Sequence, residues 1–123
     1  MAEIKQIVDP QGRQWVVLPA PPYIDGGSGQ KLLDISLRLI EEGVSHLALD
    51  MGNTRVVNSI GISRLIQMIE MLEERNGTLA FCTPNKTIAK TFRIMGLLRK
   101  AALYTSVEEI TAASDDSRQE AGG

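Results

Sequence analysis

The stretch VSHLALDMGNTRVVNSIGISRLIQMIEML, residues 44–72, decides the fold. Its first part, Val44 to Leu49, is a short apolar run ending at Asp50, which is typical of a buried strand. Asn58 and Ser59 are both favourable N-cap residues and predict the start of a helix. The apolar side chains that follow recur at helical spacing: Ile62, Leu65, Ile66, Ile69 and Leu72. A buried strand followed by an amphipathic helix is a unit of α/β proteins.

The segment before this stretch predicts a hairpin, a loop and a helix. Two β-rich runs, residues 4–8 and 15–18, flank a Pro-Gln-Gly turn and indicate an antiparallel hairpin. The proline- and glycine-rich residues 19–29 are interpreted as a loop. A helix is predicted from Gln30 to Glu42, with Gly43 as its C-terminal stop. Its predicted inward side chains are Leu32, Leu33, Leu37, Leu39 and Ile40.

The segment after it repeats the alternation of strand and helix. Residues 79–82 predict a short apolar strand, and residues 86–95 predict a helix that stops at Gly96. The side chains expected to face inward on this helix are Ile88, Phe92 and Met95. Residues 102–104 predict a last strand, and Ser106 with Glu109 resembles a capping box that opens a fourth helix.

These elements predict a single α/β domain over residues 1–113. Strands that alternate with helices pair in parallel, so we expect a mixed, mostly parallel sheet with an N-terminal antiparallel hairpin, packed against about four helices. Residues 114–123 contain no apolar side chain larger than alanine and are predicted to be a disordered tail.

Composition excludes several classes of function. The 123 residues are 43% hydrophobic and 23% charged, with a net charge of -2, and the basic residues form no block, so direct binding to nucleic acid or to a membrane is not expected. The sequence shows no apolar run long enough to span a membrane and no signal peptide at its start. A single cysteine agrees with a reducing cytoplasm.

Chemistry is expected at the start of the helix that follows Asn58. In open α/β sheets, ligands collect where strands end and helices begin. A phosphoryl group on Ser59 would face the backbone amides of Ile60, Gly61 and Ile62 and the positive end of the helix dipole. The simpler alternative, which spacing alone favours, is that Asn58 or Ser59 only caps the helix.

The sequence resembles the STAS domain family, and within it the bacterial anti-sigma factor antagonists, over roughly residues 4–112. The most specific likeness is the run from Val57 to Gly61, VNSIG, where the family has Asp-Ser-Ser/Thr-Gly after a strand that ends in Asp. Residues 23–25, Tyr-Ile-Asp, look like the family's loop acid after the second strand. Residues 85–98 resemble its late helix and the Gly-Leu turn that follows.

The resemblance implies a regulator of transcription and not an enzyme. Ser59 would be phosphorylated by a partner kinase that is also the anti-sigma factor, and a serine/threonine phosphatase would reverse the step. Asn58 stands where the family's acid usually lies, and Ile60 replaces the second Ser/Thr. Unphosphorylated, the chain would bind the kinase and release a sigma factor, by partner switching in the cytoplasm.

Partner contacts are predicted on the loop acid and along the second helix. We expect the helix face opposite its core face to be exposed and unusually apolar, and an exposed apolar patch usually marks an interface. The alternative is a helix buried on both sides. The predicted partner-binding residues are Asp25, Asn58, Ile60, Gly61, Arg64, Met68 and Met71.

Two other functions stay open. The same fold serves in phosphorylation-independent scaffold or transport-accessory modules, which the neutral Asn58 favours. The glycine-rich residues 26–29 could instead form a small-ligand or nucleotide site, although they lack the P-loop lysine. No cofactor or metal is expected, because His46 is the only histidine, and Cys82 is interpreted as a packed core thiol.

Overall fold

The computed structural model describes residues 4–112, and the predicted disorder of residues 114–123 lies outside them. The described residues form β1 (Lys5–Val8), β2 (Gln14–Pro19), β3 (Tyr23–Ile24), α1 (Gly26–Glu41), β4 (His46–Asp50), β5 (Val56–Val57), α2 (Ser59–Glu73), β6 (Thr78–Cys82), α3 (Lys86–Ile94), a 3-10 turn (Leu97–Arg99), β7 (Ala102–Tyr104) and α4 (Glu108–Ala112). None of these helices is long and apolar enough to cross a membrane.

The main sheet has five strands in the order β1-β2-β4-β6-β7. The hairpin of β1 and β2 is antiparallel, and every other neighbouring pair in this sheet is parallel. The helices between the parallel strands return the chain to the same end of the sheet. The predicted mixed, mostly parallel sheet and its leading hairpin are therefore confirmed.

One face of the sheet packs against α1, α2 and α3 in a single apolar cluster. The strands contribute large side chains to this face: Val16, Leu18, Leu47, Leu49, Leu79, Phe81 and Leu103. Phe81 and Phe92 of α3 place their ring centroids 4.6 Å apart, within the range of favourable aromatic contacts. This face holds most of the core and fixes the three helices on the sheet.

The opposite face of the sheet has a central row of small side chains, flanked in the same cluster by the larger Trp15 and Tyr104. Val17, Ala48, Ala80 and Ala102 lie side by side in the strand register, and each is at most 2% exposed. Ile110 of α4 packs in the same cluster. The helices therefore divide unequally, with three on one face and the short α4 on the other.

Two predicted details of the helices are wrong. The first helix begins at Gly26, within the segment interpreted as a loop, because Asp25 caps it. Leu37 is 45% exposed, because the buried stripe of α1 runs instead through Leu33, Ser36 and Ile40.

The C-terminal end of α3 also differs from the prediction, although the helix stops before Gly96 as expected. Met95 is 52% exposed because it is the C-cap, and the chain turns away at Gly96 before it can face inward. Gly96 and Gly43 have φ of 81° and 101°, a backbone conformation that favours glycine. Leu97 then returns to the core.

Candidate functional site

A second, two-stranded parallel sheet brings the N-termini of α1 and α2 together. β3 pairs with β5 so that Ile24 lies opposite Val57, and the Asn58 amide donates to the Ile24 carbonyl at 3.0 Å. Asp25, the N-cap of α1, and Asn58, the N-cap of α2, directly follow this pair. The two caps therefore occupy corresponding positions on neighbouring strands, a contact that only the tertiary structure creates.

The N-terminus of α1 is closed by a reciprocal capping box. The Ser28 amide donates to Asp25 Oδ1 at 2.9 Å, and the Asp25 amide donates to Ser28 Oγ at 3.0 Å. The Ser28 hydroxyl in turn donates to the Tyr23 carbonyl at 2.6 Å. The hydrogen bond from the Ser28 amide lowers the pKa of the Asp25 carboxyl, because it favours the ionised form. Asp25 is thus an exposed carboxylate fixed in position.

The N-terminus of α2 is capped differently and leaves its serine free. Asn58 Oδ1 accepts the Gly61 amide at 2.8 Å, and the Asn58 carbonyl accepts the Ile62 amide at 2.9 Å. Ser59 is exposed, and its hydroxyl has no hydrogen bond within residues 4–112. The expectation that a phosphoryl group would face the Gly61 and Ile62 amides is therefore wrong, since both are already paired.

Two other amides remain available beside the Ser59 hydroxyl. The backbone N–H groups of Ser59 and Ile60 have no partner among the described residues. Both belong to the first turn of a 15-residue helix, where unpaired donors and the helix dipole favour an anion. A phosphoryl group on Ser59 would lie beside these two donors.

Glycines allow α2 to lie close against β3 and α1. A Cβ on Gly61 would overlap the Ile24 carbonyl oxygen, and one on Gly29 would lie 3.0 Å from Cγ of Arg64. A Cβ on Gly26 would lie 3.2 Å from Ile60. The glycine-rich segment is therefore the packed first turn of a helix, and the flexible loop that suggested a nucleotide site is not present.

The same packing corrects the predicted partner face of α2. Met68 is 0% exposed, because it follows Leu65 by one turn on the buried face, and it cannot contact a partner. Met71 is half-buried against the core, and Gly61 is buried against β3. Of the apolar residues predicted for this face, only Ile60 is well exposed, at 54%.

Arg64 lies between the buried and exposed parts of this flank. Its aliphatic stem covers Gly29 of α1, and its Nη1 donates to Gln67 at 3.0 Å. Its Nε is buried with no hydrogen-bond partner among the described residues. The structure therefore brings Asp25, Asn58, Ser59 and Ile60 to one surface and places Arg64 a turn away.

A third cap at this end was not identified from the sequence. Asn85 accepts the Ile88 amide at 2.8 Å as the N-cap of α3. Its Nδ2 donates to the carbonyls of Thr54 and Arg55, both at 3.4 Å. The loop before β5 is thereby tied to α3. The signal was available in Pro84-Asn85 ahead of a helical pattern, but the contact with residues 54–55 depends on the fold.

His46 and Cys82 take no part in this surface. His46 begins β4, at the end of the strand opposite Asp50, with its ring centroid 5.1 Å from that of Trp15, and burial lowers its pKa. Cys82 is buried, and burial raises the pKa of its thiol to about 12, which confirms the core assignment. Within residues 4–112, no group of three or more His, Cys, Asp or Glu side chains is arranged to hold a metal.

Comparison with solved structures supports the fold. A protein from Thermotoga maritima assigned as an anti-sigma factor antagonist (tm1081) superposes with a TM-score of 0.71 at 13% identity, covering 86% of this chain and 89% of that one. The Bacillus cell fate determinant SpoIIAA superposes in its phosphorylated form with a TM-score of 0.60 at 17% identity, covering 87% and 95%. The unphosphorylated form of SpoIIAA superposes with a TM-score of 0.59 at 15% identity, covering 87% of this chain and 92% of that one.

Sequence comparison gives the family. The sequence matches no curated protein. The profile of the STAS domain, however, matches residues 4–110, which is nearly the whole of the described chain. The same stretch contains the N-termini of α1 and α2 and the exposed Ser59 that begins α2. The chain therefore belongs to the STAS domain family.

Proposed function

We propose that this chain is an anti-sigma factor antagonist that works as a phosphorylation-controlled protein–protein switch and not as an enzyme. In this proposal it binds an anti-sigma factor serine kinase in the cytoplasm while Ser59 is unphosphorylated. A serine/threonine phosphatase restores that state after phosphorylation. The observation that carries the proposal is the exposed Ser59 hydroxyl, free of hydrogen bonds within residues 4–112 and adjacent to two unpaired amides.

The geometry allows phosphorylation without rearrangement of the helix. The unpaired Ser59 and Ile60 amides and the helix dipole can stabilise a charge of about −2. The cap at Asn58 is neutral, so the residue before the phosphate adds no repulsion. SpoIIAA, which shares this fold, has been solved in both phosphorylated and unphosphorylated forms, which supports phosphorylation as a means of control in this chain as well.

The phosphate would act on binding by charge and desolvation. Ser59 lies beside the exposed Ile60 and near the fixed Asp25 carboxylate, which together form the proposed contact surface. A dianion placed there has to be desolvated when a partner docks, and it repels any acidic group that the partner presents. Phosphorylation is therefore expected to release the kinase.

The first experiment is intact-mass spectrometry of the protein from its own cells, followed by peptide mapping. We expect a fraction that carries one phosphoryl group on Ser59. Ser59→Ala should abolish this fraction, whereas Ser63→Ala, which changes an exposed serine one turn later on the same helix, should leave it. An unmodified Ser59 under every growth condition would contradict the switch.

A binding assay tests the second half of the proposal. Ser59→Ala should bind the kinase constitutively, and Ser59→Asp should bind at least tenfold more weakly, because the carboxylate stands in for part of the phosphate charge. Equal affinity of the two variants would contradict control by charge at this position.

A phosphorylation-independent STAS scaffold or transport-accessory module is the second candidate function. The neutral Asn58 favours it, because the cap keeps its hydrogen bond to Gly61 without the acid that the family usually has. Failure of every cognate kinase to label Ser59, together with unchanged partner binding in Ser59→Asp, would select this alternative.

A further inference from the structure

An open groove of about 1060 Å³ lies along the flank of α1 that faces away from α2. Its walls are α1 on one side and the loops 19–23 and 52–55 on the other. Four groove residues, Ser28, Lys31, Leu32 and Ile35, follow helical spacing along α1. Ser59 does not line the groove, and the proposed switch makes no use of it.

Hydrogen bonds hold the two loops of the groove together. The Thr54 hydroxyl donates to the Pro21 carbonyl at 2.9 Å, and the Arg55 amide donates to the Pro22 carbonyl at 2.7 Å. Asn85 ties the same loop to α3. The groove is thus formed before any partner arrives, which lowers the entropy lost on binding.

The lining of the groove combines apolar surface with unpaired positive charge. The half-buried Ile35 and Tyr23, a residue that is 56% exposed, supply the accessible apolar area, whereas Leu32 lines the groove but is only 5% exposed. Lys31 and Arg55 are exposed, and neither side chain has a partner within residues 4–112. No carboxylate lines the groove in that part of the chain.

We propose that this groove binds an extended acidic segment of a partner protein. Apolar side chains of that segment would cover Ile35 and Tyr23, and its carboxylates would pair with Lys31 and Arg55. A groove open to solvent does not enclose a small molecule as ligand pockets usually do, whereas several residues of extended chain can fill it. This binding does not depend on phosphorylation of Ser59.

The test is selection of a random octapeptide phage library on the full, unphosphorylated chain. We expect the enriched peptides to combine Asp or Glu with apolar residues. The same selection on the double variant Lys31→Glu/Arg55→Glu should lose them. Lys5→Glu/Lys90→Glu is the matched control, because it makes the same change in net charge at two exposed residues outside the groove.

Fluorescence anisotropy of one enriched peptide gives the quantitative result. We expect at least a tenfold loss of affinity in the groove variant, little change in the control, and weaker binding as salt rises. No enrichment, enriched peptides without acidic residues, or equal binding to both double variants would overturn the proposal. Ser59 phosphorylation is measured separately by mass, so failure of the groove proposal and failure of the switch remain distinguishable.

Discussion

The N-termini of α1 and α2 lie on neighbouring strands and both use an Asx cap, yet they leave very different chemistry exposed. At α1 the capping box engages both Asp25 and Ser28, and the Ser28 hydroxyl is bonded to the Tyr23 carbonyl. At α2 a neutral Asn58 caps the helix alone, and the Ser59 hydroxyl has no partner within residues 4–112. The serine at α1 stabilises the fold, whereas the serine at α2 is available for modification.

The largest expected effect comes from breaking the contact that joins the two helix starts. Gly61→Ala should lower the free energy of unfolding by roughly 3 kcal/mol or more, because its Cβ would overlap the Ile24 carbonyl oxygen in rigid backbone. Urea denaturation measures this loss.

Gly27→Ala is the matched control for that substitution. A Cβ there lies at an ordinary 3.7 Å from Asp25 Oδ1, and alanine is favoured over glycine in a helix, so stability should hold or rise by up to about 1 kcal/mol. Equal stability of the two variants would contradict the close packing at Gly61.

The next effect separates the two serines. Ser28→Ala removes an acceptor for the Asp25 amide and a donor to the Tyr23 carbonyl, so it should cost about 1 kcal/mol of unfolding free energy. Ser59→Ala removes no hydrogen bond of the described chain and should stay within about 0.5 kcal/mol of wild type. Thermal and urea unfolding of both variants measure the difference. A large loss in Ser59→Ala would mean that its hydroxyl has a structural role after all.

The smallest effect concerns the charge of the two caps and depends on pH. Asn58→Asp should stabilise the protein at pH 7 by about 0.3–1 kcal/mol through the helix dipole. Asp25→Asn should destabilise the protein at pH 7, because it removes a negative charge from a helix N-terminus. The pKa of Asp25 is lower in the folded state, so its stabilisation is complete above the unfolded pKa of about 4 and is lost as pH falls through the folded pKa.

Unfolding free energies at pH 7 and pH 3 test this pair. Both differences from wild type should shrink at the lower pH, because pH 3 lies below the unfolded aspartate pKa of about 4 and proton binding then favours the unfolded state. Differences that stay constant with pH would show that the caps act through hydrogen bonds alone.

Local pattern was sufficient for most of the elements and for the position of the serine. The hairpin, the buried strands and α2 follow from periodicity and turn residues, because each buries one face regardless of its neighbours. Local pattern failed for Gly26 to Gly29, where composition favours a loop. The first turn of α1 forms because Asp25 caps it. Its glycines have no side chains, which allows α2 to pack closely against this turn.

The core face of α2 was predicted correctly, since Ile62, Leu65, Ile69 and Leu72 are buried. Its exposed face could not be assigned from the sequence, because that side also carries apolar residues. The sheet takes Leu65 and Met68, and α1 covers the flank of Arg64, which leaves Ile60 exposed. The groove residues Lys31 and Arg55 were not predicted either, because they are 24 positions apart in sequence. They line the same groove only because two loops pack beside α1.

The sequence by itself determined the α/β class, the helix start at Asn58, and a serine directly after that cap, as the third residue of the VNSIG segment. These features depend on hydrogen bonds and burial within a few residues of chain. The tertiary structure alone decided which amides stay unpaired, which side of α2 is exposed, and that Asp25 lies beside Asn58. Those properties depend on contacts between elements distant in sequence, and no local pattern encodes the area that a neighbouring helix will cover.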